Sequence, residues 1–294
     1  MKKTFGEDFS WALWPGDPTD SLTAPDWVLE DRNAPINDLV VEDVYRPRCY
    51  AFMAQKPNGR AALVLAGGGY TKLVVGKEGV EIARWLNGLG FHAFVLVHRF
   101  PCARFTDETR NGAQAPVDDA LEAMRQIRAL PSDFGIDPRG VGVIGLSSGG
   151  HLASCLVAKY PEEWSAPASQ HAQISARPDF MIIGYAPIST NATGRTVINN
   201  KPALRPAEKQ ALYEAMQADA QLIDSPPPAF IVYAANDAVV PVDNAYRLHH
   251  AWMGKGGSAQ LHVFANAPHG FALRERELPV HQWPKLCQAW LQSL

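Results

Sequence analysis

The sequence predicts an α/β fold in which a mostly parallel central sheet is covered by helices on both faces. From Tyr45 onward, short apolar runs alternate with longer stretches of helical periodicity, the pattern left by parallel strands joined through crossover helices. Most of the runs are apolar throughout rather than alternating, which suits strands buried on both sides. No internal repeat, low-complexity tract or Gly/Ser linker divides the 294 residues, so a single domain is expected. With 47% hydrophobic and 19% charged residues and a mean hydropathy of -0.15, the composition is globular, and disordered and fibrous classes drop out.

The elements follow in order. Residues 1–35 contain Trp11, Trp14, Pro15, Pro18, Pro25 and Trp27 and read as an irregular arm whose aromatics anchor on the domain, residues 36–294. Strands are expected at Tyr50–Ala54, Ala61–Ala66, His92–Val97, Val141–Gly145, Phe180–Tyr185, Ala229–Tyr233 and Gln260–Phe264. Val80, Ala83, Trp85 and Leu86 mark a helix after the first Gly-rich loop, and Val117, Ala120, Leu121, Met124 and Ile127 mark a second. Asp118 and Asp119 in that second helix suit the positive end of its dipole. Further helices are expected at Ser148–Tyr160, Asn244–Met253 and Trp283–Leu291. The segment from Ile188 to Asp224 is the one sizeable insertion, polar in its first half and with one helix at Ala207–Ala218. It reads either as a small cap or rim beside a substrate or as a solvated excursion.

Several function classes are disfavoured. Lys and Arg number 27 against 30 Asp and Glu, a net charge of -3 without a charged block, so a nucleic-acid surface or polybasic membrane anchor is not expected. No apolar stretch reaches the roughly 18 residues of a membrane helix. Met1-Lys2-Lys3 could open a leader, but Gly6, Glu7, Asp8 and Asp17 interrupt it, and a cytoplasmic location is expected. Cys49, Cys102, Cys155 and Cys287 lie far apart, as isolated thiols do in a reducing compartment. The adjacent His249 and His250 fit an exposed helix, and neither HExxH nor Cys/His ligand spacing occurs, so no metal is expected.

The chemistry concentrates in three places. Gly145-Leu146-Ser147-Ser148-Gly149 is a G-x-S-x-G motif, and a β-branched run before it with a helical pattern after it supplies the strand, sharp turn and helix of a nucleophile elbow. Ser147 is the candidate nucleophile; Ser148, one step past the apex, is expected to contribute its backbone N–H. A serine nucleophile needs a base and an orienting acid, here in the order Ser, Asp, His. Asp237 follows one apolar strand and His269 the next, at the loop positions that reach the carboxyl edge of a parallel sheet. Asp243 is the rival acid. Gly67-Gly68-Gly69, directly after the Ala61–Ala66 strand, is the candidate oxyanion loop, with Gly68, Gly69 and Ser148 as expected donors. A phosphate loop is the competing reading, but neither GxGxxG nor Walker spacing is present.

These motifs resemble those of the α/β-hydrolases, and among them the small carbohydrate esterases described as acetylxylan or feruloyl esterases, often labelled xylanase-like. The resemblance rests on Leu13-Trp14-Pro15-Gly16, Gly67-Gly68-Gly69-Tyr70, Glu78-Gly79 through Trp85-Leu86-Asn87, the Gly145–Ala153 stretch, Pro226-Pro227-Pro228, Val240-Pro241-Val242 and His269-Gly270-Phe271. It implies that Ser147, Asp237 and His269 form a triad acting without a cofactor. Ala66 stands where Pro or His commonly precedes the glycines, which leaves open which two glycine amides form the hole. The expected reaction is hydrolysis of a carboxylic ester through an acyl-enzyme. Its substrate is expected to be a small acylated oligosaccharide, with Tyr70 as a possible sugar contact. A generalist carboxylesterase, a serine peptidase and an inactive ligand-binding protein are the alternatives.

Overall fold

Segments such as Ala61–Leu65 and Ala229–Ala234 have no polar face to offer water, so they settle between two layers. The computed structural model describes residues 4–14, 26–102, 112–130, 132–164, 169–198 and 200–294. Its strands are β1 (Phe9–Ala12), β2 (Trp27–Leu29), β3 (Val41–Val44), β4 (Arg48–Phe52), β5 (Ala61–Leu65), β6 (His92–Val97), β7 (Val141–Leu146), β8 (Met181–Gly184), β9 (Ala229–Ala234) and β10 (Ala259–Phe264). Eight of them form one sheet in the order β1-β4-β6-β5-β7-β8-β9-β10, and β2 and β3 pair separately. From β6 to β10 neighbouring strands are parallel; β1 and β4 complete the other edge antiparallel. The five strands from β6 to β9 in this order are buried at every residue, whereas β1 and β10 at the edges are only half-buried.

The helices are α1 (Glu81–Gly88), α2 (Ala115–Arg128), α3 (Ser148–Cys155), α4 (Ala207–Ala215), α5 (Ala218–Gln221), α6 (Asp243–Gly254) and α7 (Trp283–Gln292). Trp85 of α1 meets Trp283 of α7 edge to face, with ring centroids 5.4 Å apart. Helices α2 and α5 both pack on α3, and α5 also meets α6. Because the parallel strands all run the same way, their carboxyl ends open at one rim, where loops from separated parts of the sequence converge.

The expected α/β architecture is present, and its strands lie within two residues of the expected bounds. Four details differ. The arm is not wholly irregular: Phe9–Ala12 adds a strand by pairing with Arg48–Ala51, and Trp27–Leu29 pairs with Val41–Val44, two strands outside the expected set. Trp11 and Trp14 donate to Gln126 and Asp119, while Trp27 donates to the Tyr50 hydroxyl. Pro15, Gly16, Pro18 and Pro25 lie outside the described residues. Second, α3 stops at Cys155 because the chain turns to bridge Ala158 with Leu222, a tertiary pairing that overrides local propensity. Third, the expected Ala207–Ala218 helix ends at Ala215, since Met216 and Gln217 take extended angles before α5. Finally, Asp119 serves more than a dipole: it is buried and accepts from the backbone N–H, Nε and Nη2 of Arg99 just past β6.

The start of α3 presses directly on the sheet. A methyl group on Gly145 would lie 2.2 Å from the Gly149 carbonyl oxygen, and one on Gly149 would lie 2.1 Å from the Leu65 carbonyl oxygen. Both obstacles are backbone, so neither can swing aside. Gly149→Ala is therefore expected to destabilise the fold by about 2–3 kcal/mol, the upper part of the usual overpacking range, in urea unfolding. Gly194→Ala, where no atom lies within 4 Å of the added methyl but φ is +74°, is expected to cost about 1 kcal/mol.

Candidate active site

Ser147 occupies the turn between β7 and α3 with φ 52° and ψ -126°, a conformation that costs a non-glycine residue of order 1–3 kcal/mol. The surroundings hold it there. Its N–H donates to Gly184 O at 2.9 Å, and its carbonyl accepts from the amides of Gly150 and His151. The turn points the side chain out of the rim, where Ser147 Oγ lies 2.9 Å from His269 Nε2. On the other side of the ring, His269 Nδ1 lies 2.7 Å from Asp237 Oδ2. A carboxylate accepts, so Nδ1 carries the ring proton, and Nε2 presents its lone pair to the serine hydroxyl.

The three residues expected to act together are thus brought together, from the loops after β7, β9 and β10. The Asp237 side chain is fully buried, and its Oδ1 accepts from the amides of Val239 and Val240, each at 2.9 Å. Asn236 ties the acid loop to the histidine loop by donating to Asn266 Oδ1 and accepting from Ala267 N–H. Asp243, the rival acid, opens α6 and is exposed.

The glycine loop approaches from β5. Gly67 N–H donates to Glu78 Oε2 at 2.8 Å, and Gly69 N–H donates to Ser148 Oγ at 2.9 Å. The Ser148 hydroxyl, given no role by the sequence pattern, therefore holds the loop. Of the three expected donors, Gly68 and Ser148 keep amides that meet no protein acceptor among the described residues, while the Gly69 amide is engaged. Gly68 takes φ +136°, and a methyl there would lie 2.1 Å from the Lys72 carbonyl oxygen, so only glycine fits.

A family model described as alpha/beta hydrolase fold matches residues 110–273, more than half of the chain. The chain belongs to this family. It is 29% identical over 239 residues to an acetylxylan esterase of Xylanibacter ruminicola, covering 79% of this chain and 45% of that one. Against endo-1,4-beta-xylanase B of Butyrivibrio fibrisolvens it is 28% identical over 235 residues, covering 79% and 35%. The chain thus spans less than half the length of these curated relatives. Among solved structures, an acetyl ester-xyloside bifunctional hydrolase of Caldicellulosiruptor lactoaceticus superposes with a TM-score of 0.71 at 25% identity, covering 98% of this chain and 96% of that one. Est2, an esterase of the Planctomycetes species Thermogutta terrifontis, shares the fold with a TM-score of 0.67 at 21% identity, covering 84% and 88%.

Within this α/β-hydrolase, a layer of buried polar residues supports the rim. Glu78 bridges the glycine loop and β8: besides Gly67 N–H it accepts from the Tyr185 hydroxyl at 3.1 Å, and the Tyr185 ring packs edge-on to His269 at 5.3 Å. Burial raises the Glu78 pKa above the usual carboxylate range, opposed by the Gly67 amide, Lys77, Tyr185 and His269. In the sequence Glu78 registers only as part of a helix motif. The available signal was an acid among residues otherwise destined for the core.

Tyr70 corrects an expectation. It is 1% exposed, its hydroxyl lies 2.9 Å from His151 Nδ1, and its ring packs against Tyr213, so it props the loop from below rather than reaching a sugar. His151 Nε2 lies 2.8 Å from the Met216 carbonyl oxygen, which only accepts, so Nε2 carries the proton and Nδ1 accepts from Tyr70. A second residue of α4 reaches the same loop: a methyl on Gly69 would lie 3.6 Å from Lys209 Nζ.

Two measurements probe this layer. Glu78→Ala leaves the Gly67 amide and the Tyr185 hydroxyl without their acceptor and is expected to cost about 2–4 kcal/mol in urea unfolding. Glu78→Gln can accept from Gly67 and donate to Tyr185, so it is expected to retain most of that stability; equal losses would mean that the charge itself is required. Burial lowers the His151 pKa from 6.5 to about 4. On acidification the unfolded chain takes this proton first, so native stability is lost between about pH 6.5 and 4, by about 3 kcal/mol. His151→Gln removes that proton, and the stability gap between wild type and variant is expected to narrow by this amount over the same interval.

Proposed function

We propose that the chain is a serine carboxylic ester hydrolase that deacylates small acylated carbohydrates through an acyl-enzyme. The observation that carries the reading is the continuous hydrogen-bonded series from Ser147 Oγ through the His269 ring to Asp237, with the ring proton on the acid side. His269 removes the Ser147 proton as the serine oxygen attacks the acyl carbonyl, and Asp237 fixes the tautomer and stabilises the imidazolium. The oxyanion accepts from the amides of Gly68 and Ser148, while the Ser148 hydroxyl anchors Gly69 beside them. His269 then protonates the departing alcohol. Water, activated by the same ring, attacks the acyl-serine and frees the acid.

The carbohydrate part of the reading is supported by similarity to proteins named acetylxylan esterase and acetyl ester-xyloside hydrolase. It is tested by initial rates on acetylated xylooligosaccharides, methyl ferulate and simple aryl acetates. A preference for the first is expected; equal rates on all small acetates would make the enzyme a generalist. Ser147→Ala is expected to lose on the order of 10^4 to 10^6 in turnover and all labelling by a fluorophosphonate while remaining folded. Near-normal turnover in that variant would remove Ser147 as the nucleophile. Tight binding of an unhydrolysed ester by an unlabelled wild type would instead favour a binding protein.

A further inference from the structure

Lys209 is placed against three separate electrostatic preferences. It lies in the first turn of α4, the end at which the helix dipole opposes a cation. Lys201, from the polar half of the insertion, adds a like charge close by. The Lys209 side chain is also partly buried, and desolvation together with Lys201 lowers its pKa. Among the described residues no carboxylate comes within 4.0 Å of either ammonium group. Lys201 is held by the neutral Asn191 side chain, and Glu214, one turn along α4 from Gln210, accepts from Thr193 and Gln210 instead.

The position of this unbalanced charge is what gives it meaning. Lys209 Nζ lies over Gly69, whose amide is bonded to the residue next to Ser147. Lys209 thus stands beside the glycine loop, with Lys201 on the same insertion, and no carboxylate among the described residues lies within 4.0 Å of either. A surface lysine with no role would swing into water or pair with an acid, since both are cheap for a flexible side chain.

We propose that Lys209, assisted by Lys201, binds an anionic group of the substrate, so that the preferred ester carries a carboxylate on its sugar or on its acyl part. An acylated uronic acid is one source of such a group, and the half-ester of a dicarboxylic acid is the other. The proposal rests on the ester-hydrolase reading and narrows its substrate class. The ammonium groups act on binding, by a charge interaction strengthened where their side chains are partly buried.

The test uses two matched pairs of esters. 4-Acetoxybenzoate against its methyl ester places the carboxylate on the alcohol side; an aryl hydrogen succinate against the aryl methyl succinate places it on the acyl side. In at least one pair the wild type is expected to favour the anion by tenfold or more in kcat/KM, mainly through KM, and the preference is expected to shrink with added salt. Lys209→Gln is expected to abolish the preference, Lys209→Arg to retain it and Lys209→Glu to invert it, with Lys201→Gln giving a smaller loss. Ratios near one in both pairs, with turnover still dependent on Ser147, would overturn the anion site and leave the esterase reading standing. A preference that persists in the double variant Lys209→Gln/Lys201→Gln would overturn the assignment to these lysines. No turnover of any of the four esters, with no fluorophosphonate labelling, would overturn the esterase reading and the anion site together.

Discussion

The close seating of α3 against the ends of β5 and β7 is the constraint on which the rim depends. To start a helix there the chain must reverse within one residue, and Ser147 absorbs the reversal at φ 52°. The strain persists because its backbone N–H and carbonyl are both bonded, to Gly184 on one side and to the first turn of α3 on the other. Seating also fixes composition around it. Backbone oxygens fill the space where side chains would stand at Gly145 and Gly149, and a methyl on Gly67 would sit 2.7 Å from Ser147 Cβ. The glycines of the motif are thus the geometric condition under which the serine reaches the rim.

From that fixed point the rest of the site is assembled by long-range bonds, and this divides what the sequence could reveal from what it could not. Ser147, Asp237 and His269 were legible because each directly follows an apolar strand in a loop punctuated by Gly, Pro or Asn, so local pattern alone placed them at one edge of a parallel sheet. Strands β5, β7 and β9 were legible for the same reason, being apolar at nearly every position. Tyr185 reaches Glu78 across 107 residues, and Gly69 reaches Ser148 across 79. Neither partnership leaves a periodic trace. Tyr70 was misread because an aromatic after a glycine loop looks equally like a substrate contact and a core residue; only His151 and Tyr213 beneath it decide between them. Strand β1 was missed because it is four residues long and half-buried, and its pairing to β4 depends on a partner almost forty residues away.

The supporting layer and the insertion meet beneath the glycine loop. In the layer, polar groups are buried and each finds a specific partner: Glu78 with Gly67 and Tyr185, His151 with Tyr70 and Met216, Asp237 with His269 and two amides. Such groups are costly to leave unpaired, so these bonds fix the loops that carry Ser147, Asp237 and His269. The insertion is fastened along its length: Tyr213 packs on Tyr70 and His151, the Met216 carbonyl meets His151, and Glu214 accepts from Thr193 and Gln210. Asn244 of α6 accepts from the amides of Ser189 and Thr190, Arg247 donates to the Arg195 carbonyl, and Arg195 pairs with Asp219.

Within the insertion the Arg195–Asp219 pair is matched, whereas no carboxylate among the described residues lies within 4.0 Å of Lys201 or Lys209. If the lysines served stability, each would be expected beside an acid, as Arg195 is beside Asp219. The observed arrangement suits a surface that completes its electrostatics with a ligand: an internally satisfied layer beneath the Ser147 turn, and beside the glycine loop the Lys209 ammonium with no carboxylate within 4.0 Å among the described residues.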